Sequence, residues 1–137
     1  MKALLATLAL GLSTMFTNGA HAATALNAST VQGDYLIKAK DVYLVALVRL
    51  GATDATLTLE GDGGKVTCSG TYSFDTKTSV VETSFPNCGE AQISIAHVID
   101  LSGQTVESLT SNATVNIAIT MGADSIPAIP FTIQKLK

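Results

Sequence analysis

The chain contains no tryptophan, and aromatic residues make up only 5% of it. Proteins that stack sugars, and outer-membrane barrels with their interfacial girdles, draw heavily on such rings. Charge is also scarce, at 14% Asp, Glu, Lys and Arg, and there is no basic cluster. A nucleic-acid surface needs a basic face to neutralise phosphates, so that class is excluded as a partner. There are three prolines and two cysteines, and the two histidines are His21 and His97. Zinc sites want three or four His, Cys or carboxylate ligands. Two cysteines and one histidine beyond residue 22 do not supply them, so no metal or other cofactor is expected.

The N-terminus has the marks of an export signal. Lys2 gives a positive start, Ala3 to Phe16 is almost uninterruptedly apolar, and Ala20-His21-Ala22 fits the small-x-small cleavage pattern. The apolar run is short of the about 20 residues that a membrane span requires. Residues 1–22 are therefore read as a signal peptide, and 23–137 as a single domain of 115 residues. Loss of Lys2 leaves seven basic against eleven acidic residues, a net charge of −4. A chain of this size can bury roughly two-thirds of its unfolded surface, enough for one core. The expected location is periplasmic or extracellular, with no membrane span once the leader is removed.

Export decides the chemistry of Cys68 and Cys88. In an oxidising compartment a disulfide is the expectation. A nucleophilic thiol would need a base and a depressed pKa. The Cys-x-x-Cys spacing of redox enzymes is absent, as is the Gly-x-Ser-x-Gly of many serine hydrolases. No catalytic residue is assigned, and the chain is read as a non-enzyme.

What the sequence does have is period-two alternation along its whole length. Lys65-Val66-Thr67-Cys68-Ser69-Gly70-Thr71-Tyr72-Ser73-Phe74 is the most regular case. Strands are predicted over 31–38, 42–50, 55–60, 65–74, 79–85, 91–99, 113–121 and 131–136. The second is apolar on both parities, as in a strand buried on two sides. Gly61-Asp62-Gly63-Gly64 is a hairpin turn, since glycine tolerates positive φ. Pro86-Asn87 should end a ladder, and Pro127 and Pro130 should punctuate a loop. Leu101, Val106 and Leu109 could pin a short helical turn within 100–112.

Eight strands with mostly short links describe an all-β antiparallel meander. It closes either as a small barrel or as a two-layer β-sandwich. A turn at 75–78 would set Tyr72 opposite Val81 and Cys68 opposite Phe85. Cys88 then lies three residues beyond, and a bend at Pro86-Asn87 brings it back to Cys68.

Gly33-Asp34-Tyr35, opening the first strand, resembles the Gly-x-Trp that begins lipocalin and avidin-like barrels, with Tyr35 in the tryptophan's place. Such barrels hold small apolar ligands, and that is the leading functional expectation. Its lining is assigned to Tyr35, Tyr72, Phe74, His97 and Met121. In composition the chain is similar to fimbrial subunits, which are exported, rich in Thr and Ala, and stapled by one disulfide. That likeness implies a surface or assembly subunit pairing with a protein partner through a strand edge, with 122–130 and the last strand as the edges. A third reading is a secreted enzyme inhibitor presenting 100–112 or 122–130.

Overall fold

Alternating apolar and hydroxyl-bearing residues prefer a pleated surface with one wet face and one dry face. The computed structural model, which describes residues 23–39, 45–61 and 63–137, turns every such run into a strand. The predicted leader at 1–22 lies outside the described residues. The strands are β1 (Gly33–Ala39), β2 (Val45–Leu50), β3 (Asp54–Gly61), β4 (Gly64–Asp75), β5 (Val80–Cys88), β6 (Ile93–Asp100), β7 (Ala113–Met121) and β8 (Asp124–Lys135). Among the described residues there is one short helix, α1 (Val106–Thr110), between β6 and β7.

Each strand pairs antiparallel with the next, and β8 returns to pair with β1, with Tyr35 opposite Lys135 and Ala39 opposite Phe131. The result is a closed eight-stranded barrel, not a sandwich. Inward positions carry the core: Tyr35, Val48, Leu57, Cys68, Val81, Phe85, Ile99, Ile117 and Ile133 are all buried. Outward positions on β4 are Lys65, Thr67, Ser69, Thr71 and Ser73, and all five are exposed.

The structure revises several of the sequence expectations. Of β2, only Val48 and Leu50 are buried, while Arg49 is exposed and its Nε donates to Asp34 at 2.8 Å. The strand is therefore one-sided, because successive residues of a barrel strand point alternately into the interior and away from it. Val31 is not in β1; its N–H donates to Asn27 O in a turn, at 2.9 Å.

The β4–β5 hairpin is offset by two residues from the predicted register. Tyr72 faces Thr83, and Phe74 faces Val81. Asp75 sets the turn: its Oδ1 accepts from the N–H of Lys77 at 2.8 Å, and its carbonyl accepts from the N–H of Ser79 at 2.7 Å. An offset of two leaves every side chain on its predicted face, whereas an offset of one would have reversed them.

The prolines do not end their strands. β5 runs on through Pro86 to Cys88, because Phe85 pairs with Ile95 and Cys88 with Ile93, leaving an extra residue bulged out on β5. β8 likewise runs through Pro127, inside a register shift where Ile117 pairs with Ile129 and Ile119 with Ile126, and through Pro130, which pairs in register with Asn116. Bulges are the positions where a strand tolerates a residue without an N–H.

The helical turn expected within 100–112 is α1, capped by Thr105. The Thr105 hydroxyl accepts from Ser108 N–H at 3.1 Å, and Ser108 Oγ accepts from Thr105 N–H at 2.8 Å. Glu107 accepts from the N–H and the hydroxyl of Thr24, at 2.8 and 2.6 Å. This ties the segment before β1 to the helix.

Leu26, Val31, Leu101 and Leu109 are buried in the same core and plug one end of the barrel. Beneath the plug, the Tyr35 hydroxyl donates to Val31 O at 2.5 Å. Lys135 lays its ammonium over the Tyr35 ring, 5.6 Å from the centroid.

The Cys68–Cys88 disulfide is formed, with Cα atoms 5.1 Å apart, and both cysteines are buried. It joins the middle of β4 to the end of β5, beside the bulge. Gly70 leaves no void on the inward face: a Cβ there would lie 1.9 Å from Ser84 O and 2.9 Å from the Phe85 ring. The strand–strand approach and that ring take up the space.

Replacing both cysteines (Cys68→Ala with Cys88→Ala) should cost roughly 3 kcal/mol, the loop-closure value for a separation of 20 residues. Urea unfolding of the double variant beside reduced and oxidised wild type measures this. Equal midpoints for all three would contradict it.

Candidate functional site

The two ends of the barrel interior are filled differently. Towards the plugged end, Tyr35, Val48, Leu50, Val81, Ile99 and Leu101 leave a void of only about 10 Å³. Towards the other end a cavity of about 70 Å³ remains. Its walls are Ile37 and Ala39 from β1, Ala46 from β2, Leu59 from β3, Ile95 and His97 from β6, Ile117, Ile119 and Met121 from β7, and Phe131 from β8. Ala39 and Ala46 reach less far inward than the Leu and Ile side chains around them, and their small size leaves the space open. An eight-stranded barrel has room to be filled by its own side chains or to hold one small ligand. Here the plugged half is filled by side chains, and the other half keeps a cavity.

The mouth is apolar as well. Val66, Ile93, Met121, Ile126 and Ile129 make up five of the seven exposed large hydrophobic residues. Met121 is itself a wall of the cavity, and the other four lie beside walls: Val66 pairs with Leu59, Ile126 with Ile119 and Ile129 with Ile117, and Ile93 is two residues from Ile95.

His97 is the one residue among the ten walls with a polar side chain. Only 7% of it is exposed, and burial pushes its imidazole down to about 4. It is therefore neutral at pH 7. Its Nδ1 lies 2.9 Å from the hydroxyl of Thr83, the residue opposite on β5, which is also buried. The same hydroxyl oxygen accepts the backbone N–H of His97 at 3.0 Å. Phe85 meets the imidazole edge-on, with ring centroids 6.0 Å apart. The hydroxyl and the aromatic edge together fix the ring.

Comparison with family models, with curated proteins and with solved structures finds no match for the chain. The site is therefore read from its own geometry.

Of the five residues expected to line a ligand site, the structure brings His97 and Met121 to the cavity. The other three lie towards the plugged end. Tyr35 is buried against the plug, and desolvation raises its hydroxyl pKa well above the ordinary value, so it remains a donor to Val31. Tyr72 is half-buried, and its hydroxyl donates to Gly51 O at 2.6 Å. Phe74, also half-buried, packs onto the core opposite Val81.

Sequence reasoning missed the eight apolar walls. Alternation marks a residue as inward but does not say at which height an inward residue meets a void. The available signal was Ala39 and Ala46, two small residues on inward positions of adjacent strands. Residues 40–44 separate them and lie outside the described residues.

The buried imidazole gives stability a pH dependence. Above its ordinary pKa of about 6.5, His97 is neutral whether the chain is folded or unfolded. Between there and about 4, the unfolded chain takes up a proton that the folded chain refuses. Stability should therefore fall as pH drops through this window, by roughly 3 kcal/mol at pH 4. Asp34, Asp100 and Glu107 accept hydrogen bonds from Arg49, Ser102 and Thr24 that hold them below the usual carboxylate range, and they add their losses at the acid end. Urea titrations across pH 4–7 test this: His97→Leu should flatten the upper part of the profile. A wild-type profile already flat there would contradict a buried neutral imidazole.

Proposed function

We propose that this chain is an exported, non-enzymatic β-barrel that binds one small, mainly apolar molecule in the unplugged end of its interior. The observation that carries the reading is the apolar cavity of about 70 Å³, bordered by exposed apolar residues, with His97 the one polar side chain among its described walls. Apolar walls with few, placed polar groups are the usual make-up of a small-molecule site. Drug-sized ligands occupy about 300–1,000 Å³, so the preferred guest has only a handful of non-hydrogen atoms within the cavity, with any longer part lying along the mouth.

Binding is favoured over turnover by the walls themselves. His97 has its Nδ1 engaged by Thr83, and the other nine walls carry no acid, base or nucleophile. A barrel working in water is favoured by the distribution of its faces: apolar side chains point in, and the Thr and Ser of β4 point out. An outer-membrane barrel has the reverse arrangement. Export rests on the leader-like residues 1–22, and a periplasmic or extracellular location follows from it.

Xenon, a guest suited to dry apolar cavities, provides the test. Under xenon pressure, methyl resonances of Ile95, Ile117, Ile119 and Met121 should shift while those of Val48 and Val81 stay in place. Ala46→Leu, which fills the cavity from β2, should abolish the shifts without lowering stability. Unchanged spectra in the wild type would reject the reading.

A second reading, a protein partner engaged through a strand edge, draws on one observation. Among the described residues, the 124–130 half of β8 pairs only with β7, and Ile126 and Ile129 are exposed along it. Sizing chromatography over a hundredfold concentration range separates the two readings: concentration-dependent oligomers favour the partner reading, and a strict monomer removes it.

A further inference from the structure

The Thr83–His97 pair decides which ligand chemistry the cavity can accept. The Thr83 hydroxyl oxygen receives the backbone N–H of His97 at 3.0 Å and lies 2.9 Å from Nδ1. Thr83 is 4% exposed, so its own O–H proton needs a protein acceptor. Among the described residues, Nδ1 is the one acceptor it reaches. If Nδ1 carried the ring proton instead, two donors would converge on Oγ1 and the hydroxyl proton would be buried without a partner. Satisfying every group requires Thr83 to donate and Nδ1 to accept. The ring proton of the neutral imidazole then sits on Nε2.

The direction of that proton follows from the walls. His97 lines the cavity and Thr83 does not. Of the two ring nitrogens, Nδ1 is engaged by Thr83, so Nε2 is the one left for the cavity that His97 lines. No hydrogen bond joins Nε2 to another described residue, and the surrounding walls are aliphatic or aromatic. A water molecule placed there would find one polar side chain where it normally makes about three hydrogen bonds. It would be loosely held and readily displaced.

We infer that the cavity selects molecules carrying a hydrogen-bond acceptor, such as a small ketone, aldehyde or ester, by presenting the Nε2–H of His97 as a lone donor in an apolar chamber. Thr83 is the positioning residue that fixes this tautomer. The ligand class rests on the binding function proposed above. The tautomer does not, because it can be read with no ligand present.

The experiment has two arms. In the first, imidazole nitrogen resonances of 15N-labelled protein at pH 7 should show His97 protonated at Nε2. Thr83→Val should release the ring to a mixture of tautomers, and Thr83→Ser should restore the single form. A proton on Nδ1 in the wild type would overturn the inference. In the second arm, butanone and 2-methylbutane, which share a five-atom skeleton, are titrated into wild type and His97→Leu. Comparing the two proteins cancels the different costs of taking each probe out of water. The ketone-to-alkane affinity ratio should be about tenfold larger in the wild type, the worth of one buried donor finding its partner. The carbonyl 13C resonance of bound butanone should move downfield only there. Equal ratios would overturn the selection while leaving the cavity as a binding site. If neither probe binds although the tautomer is as described, the binding function itself fails and the ligand class falls with it.

Discussion

Pairing between β1 and β8 is the constraint on which the rest of the molecule depends. Without it the meander would be an open sheet with two free edges, and no interior would exist for its inward residues to share. Closure turns the alternation of each strand into a common core, because every second residue points at the same enclosed axis. It also fixes how much space there is to fill. A plug from the 23–31 segment, Leu101 and α1 packs one end tightly. The other end, walled in part by Ala39 and Ala46, is left with a cavity.

The disulfide and the two bulges belong to the same economy of space. The inward residue ahead of Cys68–Cys88 on β4 is Gly70, where the β5 backbone and the Phe85 ring come too close for a Cβ. Phe85 in turn leans on His97, and His97 is held by Thr83. A run of contacts therefore leads from the covalent staple to the one polar side chain among the cavity's described walls. The cost of burying an imidazole is limited by keeping it neutral and giving Nδ1 a hydroxyl partner.

Much of the fold was legible from the residues. Alternation located all eight strands, and the compartment logic of two cysteines in a chain read as exported pointed to the bond between Cys68 and Cys88. Errors arose where a local rule met a tertiary exception. Pro86 and Pro127 read as strand breakers, but a bulge has no need of the missing N–H. The run before Leu50 read as doubly buried, but closure turned Arg49 outward between the buried Val48 and Leu50. The β4–β5 register slipped by two because Asp75 caps a turn one step later than its own position suggested. The cavity was only partly legible: of the five residues expected to line a ligand site, His97 and Met121 are among its walls, whereas the aliphatic walls resemble any other core residue.

By itself, the sequence determined which residues alternate, which face of each strand is apolar, and that two cysteines were available to pair. These follow from side-chain chemistry and a period of two, both local properties. Only the tertiary structure decided that the sheet closes, which end is plugged, and that the Thr83 hydroxyl meets His97 Nδ1. The physical reason is that filling is a property of the whole interior. Whether an inward side chain touches a neighbour or a void depends on residues up to a hundred positions away, as with Ile37 of β1 and Ile133 of β8, which face each other across the seam.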